Sequence, residues 1–227
     1  MKNIINKLFL VATVMIVGLS FTSCDDEIEI WDSATLDYSG TYVCEVQLED
    51  GTVISGYNDS RKIDLYNTDE NVADQLWMTD HGKYLEITSK LLLTGDPSGF
   101  ASKSLNYDDL ELNHAMVKVP STKPTAAGET TVKNIWGAKT ALVEGKILPK
   151  GMTTAAGNVA DSIFMKFVFM YGDVTFKSQE VPEAYRANPD VAEFEWIFDS
   201  SVYDATSTDE TYVYSGYRYT GFSEDSH

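Results

Sequence analysis

The chain has 227 residues, 35 acidic against 17 basic, and a formal net charge of −18 at neutral pH. An acidic surface of this size repels phosphate backbones and anionic headgroups, so it excludes nucleic-acid binding. Two cysteines in the whole chain exclude a disulfide scaffold, and the length suits one all-β domain after a removable leader.

The leader comes first. Lys2 and Lys7 precede an apolar run from Phe9 to Gly18 that is too short to cross a bilayer, which needs roughly 20 apolar residues. Thr22 and Ser23 then stand before Cys24, followed at once by Asp25, Asp26 and Glu27. Small residues before a cysteine at the end of a short apolar run resemble a bacterial lipobox. The expected division is a lipoprotein signal peptide over 1–23, an acidic tether leading into the fold over 24–39, and a single β domain over 40–227. Cleavage leaves Cys24 first, acylated on sulfur, and two or more chains anchor stably at about 0.8 kcal/mol per buried CH₂. The membrane is thus an expected partner through lipidated Cys24. The acidic run resembles the export signal of surface lipoproteins, so the expected location is the outer membrane, facing the exterior. Cys44, with Cys24 acylated, has no intramolecular partner and reads as a small buried hydrophobe.

From Gly40 onward the hydrophobic period is two, and no stretch of helical length holds a 3.6 period. Strands are predicted over 41–48, 52–57, 61–66, 74–79, 84–89, 110–119, 131–136, 139–148, 161–171, 173–177, 193–199 and 211–220. Glu49-Asp50-Gly51 and Asp80-His81-Gly82-Lys83 supply tight hairpin turns, and Thr94 to Gly99 reads as a loop. Within the strand 161–171, Ile163 to Tyr171 carries one charge, Lys166, and has both faces covered or lipophilic. Phe194, Trp196 and Phe198 share a face of their strand, as do Tyr212, Tyr214, Gly216, Arg218 and Thr220 of the last. Evenly spaced antiparallel strands of this kind make either a closed barrel or a β-sandwich.

Catalytic patterns are missing: no Gly-x-Ser-x-Gly elbow, no His-Glu-x-x-His, no Cys-x-x-Cys, no P-loop. No catalytic residue, metal ligand or cofactor is assigned. His81 reads as a turn residue. His114 reads as a satisfied barrel histidine, with a base in the barrel mouth as the alternative. The aromatics are more informative: 13 Tyr, 10 Phe and 4 Trp. By phase and density Trp77, Phe167, Phe169, Trp196 and Tyr214 are the candidates to hold a small hydrophobic or amphipathic ligand inside a barrel. A surface protein complex is the alternative, favoured by an exposed apolar patch beside Trp31 or Tyr217 and Tyr219.

Two stretches carry a resemblance. Leu36-Asp37-Tyr38-Ser39-Gly40-Thr41-Tyr42 and Ser215-Gly216-Tyr217-Arg218-Tyr219-Thr220-Gly221-Phe222-Ser223-Glu224-Asp225 are similar to the opening and closing motifs of the bacterial lipoprotein family labelled lipid-binding putative hydrolase. Its members are similar to calycins. The resemblance implies an antiparallel lipocalin-like barrel in which Tyr42 of the first strand packs beneath Arg218 of the last and closes one end. The family's hydrolase label comes with no catalytic motif to place on these residues. The surface location is checked by shaving intact cells with protease: the protein is expected to be digested, and full protection refutes it.

Overall fold

A computed structural model describes residues 33–225. The leader, Cys24 and Trp31 lie outside them, as does the tether before Ser33. Ten antiparallel strands form one sheet: β1 (Gly40–Leu48), β2 (Val53–Ser55), β3 (Lys62–Asn67), β4 (Gln75–Thr79), β5 (Thr88–Asp96), β6 (Gly99–Ser102), β7 (Thr130–Thr153), β8 (Val159–Glu180), β9 (Phe194–Tyr203) and β10 (Glu210–Arg218). The hydrogen-bonded order is β10-β1-β3-β4-β5-β6-β7-β8, and β8 pairs back onto β10, so eight strands close into a ring. Closure pairs neighbouring strands all round that circuit, most sparsely between β6 and β7.

The predicted strands 131–136 and 139–148 are one long strand, as are 161–171 and 173–177. The first parts of β7 and last parts of β8 outrun the ring and, with β9, make a three-stranded annex. β8 belongs to both: its residues 162–169 pair with β10 and its residues 172–180 with β9. The segment 110–119, expected as a strand, makes a single bridge, Leu112 to Lys139. The expected strand at 84–89 starts instead at Thr88 and runs to Asp96, because Asp80 holds the residues before it in a loop. Its buried carboxylate accepts the N–H groups of Gly82 (2.9 Å), Leu85 (2.7 Å) and Ile87 (3.0 Å).

Alternation sends one side of each ring strand inward. Tyr42, Cys44 and Val46 of β1 meet Leu76 and Met78 of β4, Leu91 and Leu93 of β5, Met165, Phe167 and Phe169 of β8, and Tyr212 and Tyr214 of β10. Each such side chain contributes about 1.5–3 kcal/mol by leaving water. Outward residues of β8 are also covered. Met170 and Val168 lie beneath Tyr107, whose 3-10 turn (Tyr107–Asp109) rides outside the wall.

One end is closed by the two stretches that carry the resemblance. Residues 33–39 form a packed turn with Thr35 and Tyr38 buried. Tyr42 donates its hydroxyl to the Tyr38 carbonyl (2.8 Å), and Tyr38 packs edge-on against Phe100 (5.1 Å). In register with Tyr42, Arg218 lays its guanidinium 4.9 Å from the Tyr42 ring. Its Nε donates to Asp161 Oδ2 (3.0 Å) and its Nη1 to the Ser39 carbonyl. A Cβ on Gly40 would sit 2.1 Å from that Nη1, and φ there is +152°, so glycine is required twice over. Burial pushes the Tyr42 phenol up to about 12 against the opposing pull of Arg218.

Arg218→Ala is expected to destabilise by about 2 kcal/mol, losing the cation–π contact and leaving the Ser39 carbonyl unpaired. A melting temperature within experimental error of the wild type refutes this. Asp80 gives a pH signature. Burial raises its pKa, so on acidification the folded chain takes up this proton before the unfolded chain, whose Asp titrates near about 3.9. Stability from this group therefore rises as pH falls through that window. Asp80→Asn, which cannot titrate and offers an amide N–H where Leu85 or Ile87 needs an acceptor, is expected to melt lower at pH 7. The gap to wild type is expected to widen as pH falls toward the range of a free aspartate, and a gap independent of pH refutes the assignment.

Candidate functional site

Phe167, Phe169 and Tyr214 point into the ring and meet other side chains there. Trp136 stacks on Phe169 (4.9 Å, 8° between planes), and Tyr212 meets Phe169 edge-on (5.2 Å). Tyr214 lies between Phe167 and Tyr84, both at 5.9 Å. All three predicted residues are fully buried. The Tyr214 hydroxyl has no hydrogen-bond partner among the described residues, and burial holds its pKa well above the ordinary phenol value.

The other two predicted aromatics are elsewhere. Trp77 sits between Leu76 and Met78, which take the inside of β4, so it faces outward, half-buried 5.6 Å from the ring of His114. His114 is itself exposed rather than inside the barrel. Trp196 belongs to β9, which never joins the ring. It packs with Val174 and Phe176 in the annex and donates its indole N–H to Thr122 (2.6 Å). Alternation was legible for both residues; which side faced the ring was not.

The wall is weakest between β6 and β7, where a single residue pair, Phe100 and Gly145, joins the strands. A Cβ on Gly145 would lie 2.4 Å from the Phe100 ring, so the ring seats on bare backbone. Past this point a side chain replaces the ladder: the Leu142 N–H donates to Ser102 Oγ (2.9 Å). The next staple is the Leu112 bridge to Lys139, where Ser89 Oγ also donates to the Leu112 carbonyl (3.4 Å). Between the two staples lies a cleft of 240 Å³. Leu91, Leu92 and Leu110 supply its apolar surface, and Ser102, Thr140 and Ser104, the last donating to Asp109 (2.8 Å), its hydroxyls. Thr140 is in register with Phe169 and shares its inward face, so the cleft reaches through the wall to the core. Lys90, Lys103, Asp109 and Glu111 stand around it.

The outer side of the cleft is held by buried polar anchors that left no periodic trace in the sequence. Lys139 is 8% exposed, its ammonium donating to the Tyr107 carbonyl (3.0 Å) and lying 4.7 Å from the Tyr107 ring; burial lowers its pKa. Fully buried Asn113 accepts the Thr88 N–H (2.9 Å) and donates to the Glu86 carbonyl (3.0 Å). A second, larger cleft of 670 Å³ lies at the Arg218 end, between Leu36, Pro97, Ile147 and Pro149. Its cation is already engaged by Asp161 and Ser39.

His81 Nε2 contacts Asp64 Oδ2 at 2.8 Å on the outer surface, and no serine, threonine or cysteine side chain hydrogen-bonds to its ring among the described residues. Cys44 is fully buried, and burial pushes its thiol far above the reactive range. Tyr217 is buried too, and Tyr219 lies under the Lys62 ammonium at 3.3 Å. Of the two residues expected beside an apolar patch, Tyr217 is thus inside and Tyr219 stays exposed, as does Phe222.

Among curated proteins no significant match to the chain was found. The family model described as lipid-binding putative hydrolase matches residues 27–223, which span the whole ring, the annex, the opening motif and the closing one as far as Ser223. The chain belongs to that lipid-binding putative hydrolase family.

Proposed function

We propose that this is a lipid-anchored surface lipoprotein, tethered through Cys24, whose lipocalin-like body binds a small hydrophobic or amphipathic molecule. Membership of a lipid-binding family supports a lipid ligand. The acidic stretch after Cys24 supports exposure at the outer face of the outer membrane.

The observation that carries the binding reading is the interrupted wall. A ring packed with Phe167, Phe169 and Tyr214 has its volume taken by its own side chains. A ligand therefore enters where backbone pairing is absent, through the cleft between β5 and β7, with Leu91 at its floor. The cleft is smaller than the roughly 300–1,000 Å³ of pockets that enclose a whole drug-sized ligand. It takes one end of an amphipathic molecule and leaves the rest outside. A protein held at a membrane by its own acyl chains meets such molecules at high local concentration.

The test is native mass spectrometry of lipid retained by the protein after purification from its own membrane. Wild type is expected to carry a bound lipid in roughly stoichiometric amount. Leu92→Trp, which fills the outer half of the cleft without touching the core, is expected to lose it. No retained lipid, or equal retention by Leu92→Trp, overturns the reading.

A further inference from the structure

The side cleft also specifies the kind of head it accepts. Thr140 is 2% exposed, and its Oγ1 has no hydrogen-bond partner among the described residues. A buried orphan of this kind costs the fold a hydrogen bond's worth of desolvation. Thr140 lines the cleft, and rotation about χ1 exchanges its hydroxyl with a methyl of similar size. Ser102 Oγ accepts the Leu142 N–H, while its own O–H finds no acceptor among the described residues. The floor therefore holds two hydroxyl protons in search of acceptor oxygens.

The charges decide which oxygens. Around the cleft Lys90 and Lys103 are balanced by Asp109 and Glu111. Lys90 is paired with Glu111 (3.4 Å), and Lys103 with Asp74. Neither lysine is left to neutralise an incoming anion, and the whole chain carries −18. Lys139, at the outer side of the cleft, is already engaged by the Tyr107 carbonyl and ring, so a buried carboxylate or phosphate would lose its hydration with no free cation to meet it.

We propose that the side cleft receives the uncharged ester head of a single-chain acyl lipid. Its carbonyl oxygen accepts from Thr140 and Ser102, and its alkyl chain runs out over Leu92 and Leu110. This rests on the binding reading above and adds the chemistry of the head.

The experiment is calorimetric titration of the full chain in nanodiscs, with empty nanodiscs as the blank. Three probes of one chain length are used: monooctanoylglycerol, octanoate and octyltrimethylammonium. Monooctanoylglycerol is expected to bind about tenfold or more tighter than either ion. Thr140→Val is expected to weaken it about tenfold and Thr140→Ser to leave it near wild type. The melting temperature of Thr140→Val is expected not to fall, since an unpaired hydroxyl is removed. Equal or tighter binding of either ion, or unchanged affinity in Thr140→Val, overturns the assignment of the head while the cleft remains a binding site. Failure of all three probes to bind overturns both readings.

Discussion

The Arg218 guanidinium holds the first ring strand to the last. It lies over the Tyr42 ring, reaches back to the Ser39 carbonyl and forward to Asp161 on β8, so one side chain ties three segments far apart in sequence. A closed sheet has to solve this problem somewhere. Its strands tilt, and at each end the last residues of neighbouring strands lose partners. A planar cation with several fixed N–H donors satisfies carbonyl, carboxylate and aromatic face together, which an ammonium could not do in one plane. The same clamp explains why the turn at Thr35–Ser39 is packed and why Gly40 carries no side chain.

With that end tied, the rest of the ring behaves as a packed core instead of a container. Inward aromatics contact one another edge-on or stacked, which fills the lumen and adds a modest directional term beyond burial. The β6–β7 seam has one backbone pair, a serine standing in for a ladder bond, and a loop bridge at Leu112. A seam held by so few bonds opens at smaller free-energy cost than the long β7–β8 pairing. Closure is thus uneven around the ring: Arg218 ties one end tightly while the side wall at β6–β7 has few backbone bonds.

The annex comes from the same economy of chain. β8 leaves the ring without breaking, and its second half gathers β7 and β9 into a small sheet whose inner face is covered by the segment ending at Glu129. Trp196 serves that cover by bonding to Thr122. Two aromatic faces that look alike in sequence, one on β8 and one on β9, therefore do different jobs, one in the ring core and one beneath a loop.

Period-two patterning determined that the chain is all-β and placed most strands, because inward residues must alternate with outward ones whatever the topology. The Asp-Gly turn at Asp50 was legible for the same local reason, the loop expected over Thr94–Gly99 narrowed to a tight turn at Pro97 and Ser98 between β5 and β6, and the pairing of Tyr42 with Arg218 followed from the resemblance of the two terminal motifs. Local pattern could not show that Trp77 faces out, since flipping a strand's phase leaves its sequence unchanged and only its neighbours choose the side. Nor could it show that two predicted strands are one, that 110–119 is a covering segment held by Asn113, or that Thr140 and Ser102 meet at one cleft. Those are facts of juxtaposition, set by how the ring closes and where its backbone pairing fails.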